Sequence, residues 1–183
     1  MSDSKNVSIV GTNNRYQIRK LIQEKEICQR KIFKKIDMLK YSHEEQKNIL
    51  SKLNYEVSNN HDTSNEDCVL FIKEIKNKLS SYKQQDFLKK IFDDMQFISL
   101  ENTIELLQSS NLECHYCSQQ IHILYEIVRE QMQWTLDRID NDKGHNKNNV
   151  VISCLKCNLN RRRTSKDAFM FTKNLNIIKT DSS

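Results

Sequence analysis

The stretch TLDRIDNDKGHNKNNVVISCLKCN, residues 135–158, decides the fold prediction. Short apolar and β-branched runs occur at its start, within MQWTLDRI, and near its end, within NVVIS, and both are typical of strands. The segment CLKCNLNRRRTSKDAFMF, which begins at Cys154, predicts a helix that starts on a cysteine pair. The predicted order is therefore strand, loop, strand, helix.

Four cysteines form two C-x-x-C pairs around this unit, Cys114 with Cys117 and Cys154 with Cys157, separated by 36 residues. Two such pairs are the usual way to present four thiolates tetrahedrally to zinc. In a chain without an export signal, a metal site is a better interpretation than disulfides. Four thiolates leave no coordination position open, so we predict one structural zinc ion per chain.

The N-terminal half shows apolar residues at three- and four-residue steps, which indicates amphipathic helices. The predicted helices run from Arg15 to Leu39, from a capping box at Ser42 and Glu45, from a cap at Ser64 or Asn65, from Asp86 to about Phe97, and from a cap at Ser99. The predicted fold class is mainly α with a small α+β module. We divide the chain into a disordered N-terminus (1–12), a helical region (13–98), a zinc-containing module (99–173) and a tail (174–183).

Charge and composition restrict the class of protein. Hydrophobic residues make up 37 % of the chain and charged residues 29 %, and no apolar run approaches the roughly 20 residues of a membrane span. The start, MSDSKNVSIV, lacks the features of a secretory signal, so we expect a soluble, intracellular protein that is not secreted. Residues 1–40 carry a net charge of +6 and residues 143–183 a net charge of +7, which suits a polyanionic partner.

The cysteine pairs and the sequence between them resemble the zinc-containing HNH endonucleases, also called ββα-metal or His-Me finger nucleases. The core L-D-R-I-D…N-V…C-x-x-C-N is most similar to phage and large-virus members and, more distantly, to recombination endonuclease VII. The resemblance covers about residues 100–170. It implies that the C-terminal module is a zinc-stabilised ββα-metal unit and that the protein is a metal-dependent DNA endonuclease.

The resemblance also implies roles for single residues. Asp137 and Asn149 would hold a catalytic Mg²⁺ or Mn²⁺ ion in a one-metal mechanism that hydrolyses phosphodiester bonds. Arg138 occupies the position of the usual general-base histidine. Arginine stays protonated at any workable pH, so it cannot take a proton from water, but it can clamp a phosphate. The candidates for the missing base are His145, Tyr125 and His122, in that order.

Five basic residues near the last cysteine pair are predicted to contact nucleic acid: Arg161, Arg162, Arg163, Lys156 and Lys166. The expected partner is double-stranded DNA, with no membrane partner and with a homodimer through the N-terminal helices as a further expectation. The arginine run also fits a merely solvated helix face.

Other interpretations stay open at this point. Asp137 also fits a salt-bridge partner of Arg138, and Tyr125 a core residue. Asn149 also fits a turn residue, and His145 a solvated loop histidine. Asp140, Asn141 and Asp142 are expected to shape the loop, although Asp140 also fits a metal ligand. At the level of function, the alternatives are a cleavage-deficient, zinc-stabilised DNA-binding or structural module, and a partner-binding helical protein stabilised by the zinc unit.

Overall fold

The computed structural model describes residues 27–31, 36–58 and 65–174. In these ranges the fold is mostly helical with one two-stranded antiparallel sheet, an α+β arrangement that agrees with the predicted class at this level. After a 3₁₀ turn at Met38–Lys40, the elements are α1 (His43–Ser58), α2 (Glu66–Leu88), α3 (Leu100–Ser109), β1 (Trp134–Arg138), β2 (Val150–Cys154), α4 (Leu155–Arg161) and α5 (Lys166–Asn174). The predicted disordered N-terminus lies outside the described residues, as does the predicted tail after Asn174.

Three helices begin at the caps that the sequence indicates. The Ser42 hydroxyl accepts a hydrogen bond from the Glu45 amide at 3.2 Å, at the start of α1. Asn65 caps α2, and the Ser99 hydroxyl accepts from the Asn102 amide at 3.2 Å at the start of α3. These side chains satisfy backbone donors that a helix leaves unpaired at its N-terminus, which confirms the three predicted starts.

The prediction of a helix as far as Leu39 is wrong in its described part. Gln29 forms an isolated antiparallel bridge with Ile127, and the Arg30 amide donates to the Glu126 carbonyl at 2.7 Å. Backbone groups that pair with another segment are not available to a helix, so residues 27–31 run beside residues 126–128 instead. The part of this predicted helix before residue 27 lies outside the described residues.

Two further helix predictions are wrong in their bounds. Helix α2 continues without a break to Leu88, and Lys90 then takes a left-handed backbone conformation with φ 58°, so residues 89–97 are turns rather than a helix. The predicted helix after Cys154 is split into α4 and α5 because Arg162, with φ 53° and ψ −114°, cannot continue a right-handed helix.

The predicted strands are confirmed. They pair with Trp134 opposite Cys154 and Asp137 opposite Val151. The loop between them, residues 139–149, returns the chain so that α4 begins directly at the end of β2 and packs against both strands. This hairpin and α4 place Asp137 and the second cysteine pair on neighbouring elements.

One hydrophobic core joins the helices to the hairpin, with buried members from Tyr41 in the N-terminal half to Phe169 in α5. A buried polar side chain also links the two halves. Gln46 on α1 accepts hydrogen bonds from the amides of Ile123 and Leu124, at 2.8 and 3.0 Å. Among the helices of the described ranges, none is both long and apolar enough to cross a membrane.

Candidate metal centre and basic cleft

The four cysteines of the two C-x-x-C pairs come together in the structure. The sulfur atoms of Cys114, Cys117, Cys154 and Cys157 all lie within 4.8 Å of one another. A tetrahedral ion with Zn–S bonds of about 2.3 Å separates its sulfur ligands by roughly 3.8 Å. The Cys117 and Cys154 sulfurs are 3.9 Å apart, so the cluster fits a structural metal ion such as zinc.

Local backbone geometry presents these sulfurs. The turn after Cys114 closes with a hydrogen bond from the Ser118 amide to the Cys114 carbonyl, and Ser118 adopts φ 52°. Cys154 ends β2 and caps α4, where its sulfur accepts from the Cys157 amide at 3.3 Å. The spacing of the motif thus becomes two tight turns that face each other.

At Cys114, hydrogen bonds to the sulfur favour the thiolate form that metal binding requires. The Cys114 sulfur accepts from the Cys154 amide at 3.2 Å and from the Tyr116 amide at 3.4 Å. The Cys154 thiol and these amides lower the pKa of Cys114, although burial opposes the shift. The Cys114 side chain and burial raise the pKa of Cys154, and burial raises the pKa of Cys157. The fit to a thiophilic cation therefore rests on the geometry of the four sulfur atoms.

Asp137 is buried and fully engaged at the end of β1. One carboxylate oxygen accepts from Arg161 Nε at 2.6 Å and from the Tyr116 hydroxyl at 2.7 Å, and the other accepts from Arg161 Nη2 at 2.8 Å. The Arg161 side chain is completely buried. Its Nη2 also donates to the Arg138 carbonyl, and its Nη1 to the Thr164 carbonyl at 2.6 Å.

The buried ion pair of Asp137 and Arg161 changes two predictions. Arg161 does not lie on an exposed basic face with its neighbours, so the prediction that it contacts nucleic acid with them is corrected to a role inside the protein. Asp137 does form a salt bridge, but with Arg161 rather than with Arg138, the partner that the sequence indicated. A buried carboxylate must be paired and hydrogen-bonded. The Arg161 guanidinium supplies the opposite charge for Asp137, and the Tyr116 hydroxyl supplies a further hydrogen bond.

Asn149 is committed to the loop between the strands. Its amide nitrogen donates to the carbonyls of Asp140 and Gly144, both at 2.9 Å, and its amide oxygen accepts from the Asp140 amide at 2.9 Å. The predicted divalent-ion pair of Asp137 and Asn149 therefore does not present free oxygens, and these two residues do not fit that ion as they stand. Asn149 instead fixes the shape of the loop.

The loop is also held by the residues expected to shape it. Asp140 accepts from the Asp142 amide at 3.0 Å, and Asn141 donates to the Arg162 carbonyl at 3.4 Å. Arg138 Nη1 donates to the carbonyls of Asn141 and Lys143, both at 3.1 Å. Arg138, at the end of β1, thus stabilises the conformation of the loop.

His145, the first candidate base, lies buried against α2, so its interpretation as a solvated loop histidine is wrong. Its Nδ1 is 2.8 Å from an Asp86 carboxylate oxygen, and its backbone amide donates to the other oxygen at 2.6 Å. The Tyr82 ring packs on the imidazole with centroids 4.4 Å apart. Burial lowers the pKa of His145 from its usual value while Asp86 opposes the shift, which favours a neutral imidazole.

The loop approaches α2 too closely for a side chain at Gly144. A Cβ atom there would lie 2.8 Å from the Ile91 carbonyl oxygen and 2.9 Å from the Asp86 carboxylate. The backbone oxygen cannot move aside without shifting its segment. Gly144 is therefore required for the contact that brings His145 to Asp86.

The other two candidate bases lie elsewhere. Tyr125 and His122 line a separate cavity of about 600 Å³ with Met38 and Met132. Burial raises the pKa of Tyr125, and the Arg30 guanidinium lies 4.4 Å from its ring centroid. A phenol needs a lowered pKa to act as a base, so this environment suits the core interpretation of Tyr125 better.

A basic cleft of about 670 Å³ opens beside β1 and α4. Its lining includes Lys89, Arg138, Asn158, Arg162 and Arg163. Burial is the main cause that lowers the pKa of Lys89, and the charges of Arg138 and Arg163 lower it further while Asp86 opposes them. We call this site the basic cleft.

The other residues predicted to contact nucleic acid differ in their position relative to the basic cleft. Arg163 is exposed and pairs with Asp142 at 2.9 Å. Lys156 is exposed on α4 and Lys166 is half-buried at the start of α5, and neither lines the basic cleft. Of the five predicted residues, Arg162 and Arg163 are therefore the two that meet there.

Sequence reasoning missed Asn158 as a site residue. This half-buried side chain lines the cleft, and its amide nitrogen donates to the Thr135 hydroxyl at 3.1 Å and to the Leu136 carbonyl at 3.4 Å. The signal that could have found it is its place directly after Cys157, the last position of the C-x-x-C-N motif. Asp86 carried no comparable signal, because nothing in its own helix indicates its partner.

No protein-family model matches this chain, and no curated protein or solved structure matches it either.

Proposed function

We propose that this protein is a metal-dependent DNA endonuclease that hydrolyses phosphodiester bonds at the basic cleft. The observation that carries the proposal is the arrangement of β1, β2 and α4. The four-cysteine cluster links the ends of this unit. Asp137 lies near the end of β1 next to Arg138, which lines the cleft. On its other side, Leu136 accepts a hydrogen bond from Asn158, which also lines the cleft. This arrangement supports a zinc-stabilised ββα-metal unit, the finer fold assignment that the resemblance implies.

Zinc would be held by the four thiolates and would supply folding energy rather than chemistry, because no coordination position stays open. For a catalytic divalent cation, Asn158 is a better candidate than Asn149, whose amide is committed to the loop. Asp137 is available to such an ion only when Arg161 gives up one of its oxygens. The proposal therefore requires that local rearrangement.

The chain's own residues divide the other tasks. Arg138, Arg162 and Arg163 would bind phosphate oxygens at the cleft, where guanidinium groups stay charged at any working pH. His145 is the best supported candidate base, because Asp86 engages Nδ1 and so leaves Nε2 as the nitrogen that can take a proton. The side chain is 5 % exposed and does not line the basic cleft, so a role as base requires an opening of the loop.

The experiment is a plasmid-nicking assay on zinc-loaded full-length protein with Mg²⁺ or Mn²⁺. We expect the wild type to cut DNA, and the variant Asn158→Ala to lose at least about tenfold in rate, since one polar contact in an active site contributes a few kcal/mol. Asn148→Ala is the matched control, because Asn148 is exposed and does not line the cleft. Its rate should equal that of the wild type.

A second candidate function is a zinc-stabilised DNA-binding or structural module that does not cleave. The specific observation in its favour is the buried pair of Asp137 and Arg161, which occupies both carboxylate oxygens. A zinc-loaded wild type that binds DNA but cuts none with either divalent ion would select this candidate. Double-stranded DNA as partner, a homodimer through the N-terminal helices and an intracellular location stay predictions.

A further inference from the structure

Three phenylalanines beside the basic cleft form a partly exposed aromatic strip. Phe87 and Phe92 stack with ring centroids 4.1 Å apart and an interplanar angle of 25°, and Phe92 and Phe97 follow at 5.6 Å. The Phe87 side chain is 56 % exposed although it lies at the end of a helix that belongs to the folded core. We call Phe87, Phe92 and Phe97 the aromatic strip.

The aromatic strip is continuous with the wall of the basic cleft. Lys89 and Ile91, which line the cleft, lie between Phe87 and Phe92 in the chain. The Ile91 amide donates to the Asp86 carbonyl at 3.0 Å, so this segment is fixed against the end of α2. The rings of Phe87 and Phe92 therefore lie within two residues of cleft-lining positions in the chain.

Charges are distributed unequally between the two surfaces. The cleft carries Lys89, Arg138, Arg162 and Arg163, with Asp142 paired to Arg163. Beside the rings, in contrast, Asp93 and Asp94 supply carboxylates, and Asp94 lies 3.6 Å from the Lys83 ammonium. Lys83 pairs with Asp94, and Lys143 and Lys147 line a groove with Phe97. The strip is thus of mixed charge, whereas cations predominate in the cleft, where phosphates are favoured.

We propose that the aromatic strip binds unpaired bases of a DNA strand whose phosphates lie in the basic cleft. Aromatic side chains stack with any base, and together with a basic groove they form the usual surface for single-stranded nucleic acid. Paired bases inside a duplex do not expose their faces, so the strip would select DNA with a single-stranded segment. The inference rests on the proposed function in taking DNA as the ligand.

The stacked rings of Phe87 and Phe92 favour a nucleic-acid base as the ligand over a second copy of the chain. Phe92 holds the Phe87 ring on one side, and the Lys83 ammonium lies 4.9 Å from the Phe92 ring centroid. A ring fixed in this way loses little side-chain entropy when a base stacks on it. Leu88 and Met95, both strongly exposed, add apolar area beside the rings, so self-association is measured as a separate outcome of the test.

The test is fluorescence anisotropy of zinc-loaded full-length protein without added divalent cations, using labelled oligo-dT and a labelled duplex of equal nucleotide number. We expect Phe87→Ala to weaken binding of oligo-dT by roughly 5- to 150-fold, the range that the loss of one stacked base produces. Binding of the duplex should change less than about twofold. Phe87→Trp should retain or increase the affinity for oligo-dT.

The matched control is Val69→Ala. Val69 is 49 % exposed and lies on the same helix, about 27 Å from Phe87 at 1.5 Å per residue. It should leave both affinities unchanged. Sedimentation of the wild type and of Phe87→Ala measures self-association directly.

An unchanged oligo-dT affinity in Phe87→Ala, an equal loss for both ligands, or a loss of self-association alone would overturn the inference. These measurements involve no cleavage, so their failure is distinct from failure of the endonuclease proposal. A protein that binds oligo-dT through Phe87 without cutting DNA would retain this inference and reject the nuclease.

Discussion

Arg161 is completely buried, and its guanidinium reaches from α4 to the carboxylate of Asp137 at the end of β1. Removing one partner of a buried ion pair leaves the other charge without compensation, which typically costs 3–5 kcal/mol. We therefore expect Arg161→Met to lower the free energy of unfolding by about 3–5 kcal/mol. Urea titration of the zinc-loaded protein measures this change.

The double variant Asp137→Asn with Arg161→Met removes both charges. It should be more stable than the sum of the two single changes indicates, because neither variant group is then a buried, unpaired ion. If Arg161→Met lowers the free energy of unfolding by less than about 1 kcal/mol, the Asp137 carboxylate must reach solvent or another cation. The ion pair would then not be what holds β1 and α4 together.

This pair also marks a limit of sequence reasoning. Three successive arginines indicate a basic surface, and for Arg162 and Arg163 the exposed position was predicted well. The different environment of Arg161 depends on a partner 24 residues earlier in the chain, which no local pattern specifies. The four cysteines, in contrast, carry their own spacing signal, and the structure brings them together as predicted.

His145 should titrate below its usual pKa. Burial disfavours the charged imidazole, and the negative charge of Asp86 counteracts part of that shift. The contribution of this group to stability is therefore fully present above about pH 6.5 and is lost as the pH falls toward the lowered value. Asp86→Asn should lower the pKa of His145 further, because it removes the charge that raises it.

The measurement is an NMR titration of the imidazole signals in both proteins. His43→Gln identifies the signals of another histidine and serves as the assignment control. A His145 pKa at or above 6.5 in the wild type would show that Asp86 outweighs burial. The acid-induced loss of stability assigned to this group would then be wrong, because a pKa that is not lowered on folding does not destabilise the protein as the pH falls.

At the scale of elements, the break between α4 and α5 depends on one strained residue. Arg162 has φ 53° and ψ −114°, a conformation that favours glycine, and such strain costs about 1–3 kcal/mol. We expect Arg162→Gly to raise the free energy of unfolding by about 1 kcal/mol while it weakens DNA binding through the loss of a cleft cation.

Thermal unfolding and the salt dependence of DNA binding measure the two effects separately. Arg163→Gly is the matched control, because it removes a neighbouring cleft cation without relieving this strain. A loss of stability in Arg162→Gly would mean that the side chain contributes more by its contacts than the backbone strain costs.

The elements show why part of the fold could be predicted and part could not. Helix starts at Ser42, Asn65 and Ser99 have capping side chains that are visible in the sequence. The end of α2 has no such sign, since Lys90 takes a left-handed conformation that glycine or asparagine would normally indicate. The apolar residues that follow therefore predicted a helix where the chain makes turns.

At the scale of the molecule, the helical half and the hairpin are held by buried polar contacts as well as by a common core. Gln46 binds backbone groups at residues 123 and 124, and Asp86 binds His145. Loss of order in the hairpin should therefore affect the helices too. The four-cysteine cluster is the natural point from which to test this coupling.

The fluorescence of the single tryptophan, Trp134, reports on the folding of the hairpin when metal is removed. Trp134 is completely buried in β1 and pairs with Cys154 in the sheet register. We expect about one zinc ion per chain by elemental analysis, and a red shift of the tryptophan emission when a strong chelator removes it. Binding of structural zinc contributes about 10–16 kcal/mol in small peptides, which is comparable to the whole stability of a typical domain.

Substitution of single cysteines separates metal loss from the loss of a thiol. Cys154→Ser should lower zinc content, shift the Trp134 emission to the red and lower the midpoint of thermal unfolding measured by helical circular dichroism. Cys28→Ser is the matched control, because Cys28 is exposed and lies outside the cluster. A zinc-free wild type with blue emission and a cooperative transition would show that the core suffices without metal. A red shift that leaves the helical transition unchanged would instead show that the hairpin unfolds independently of the helices.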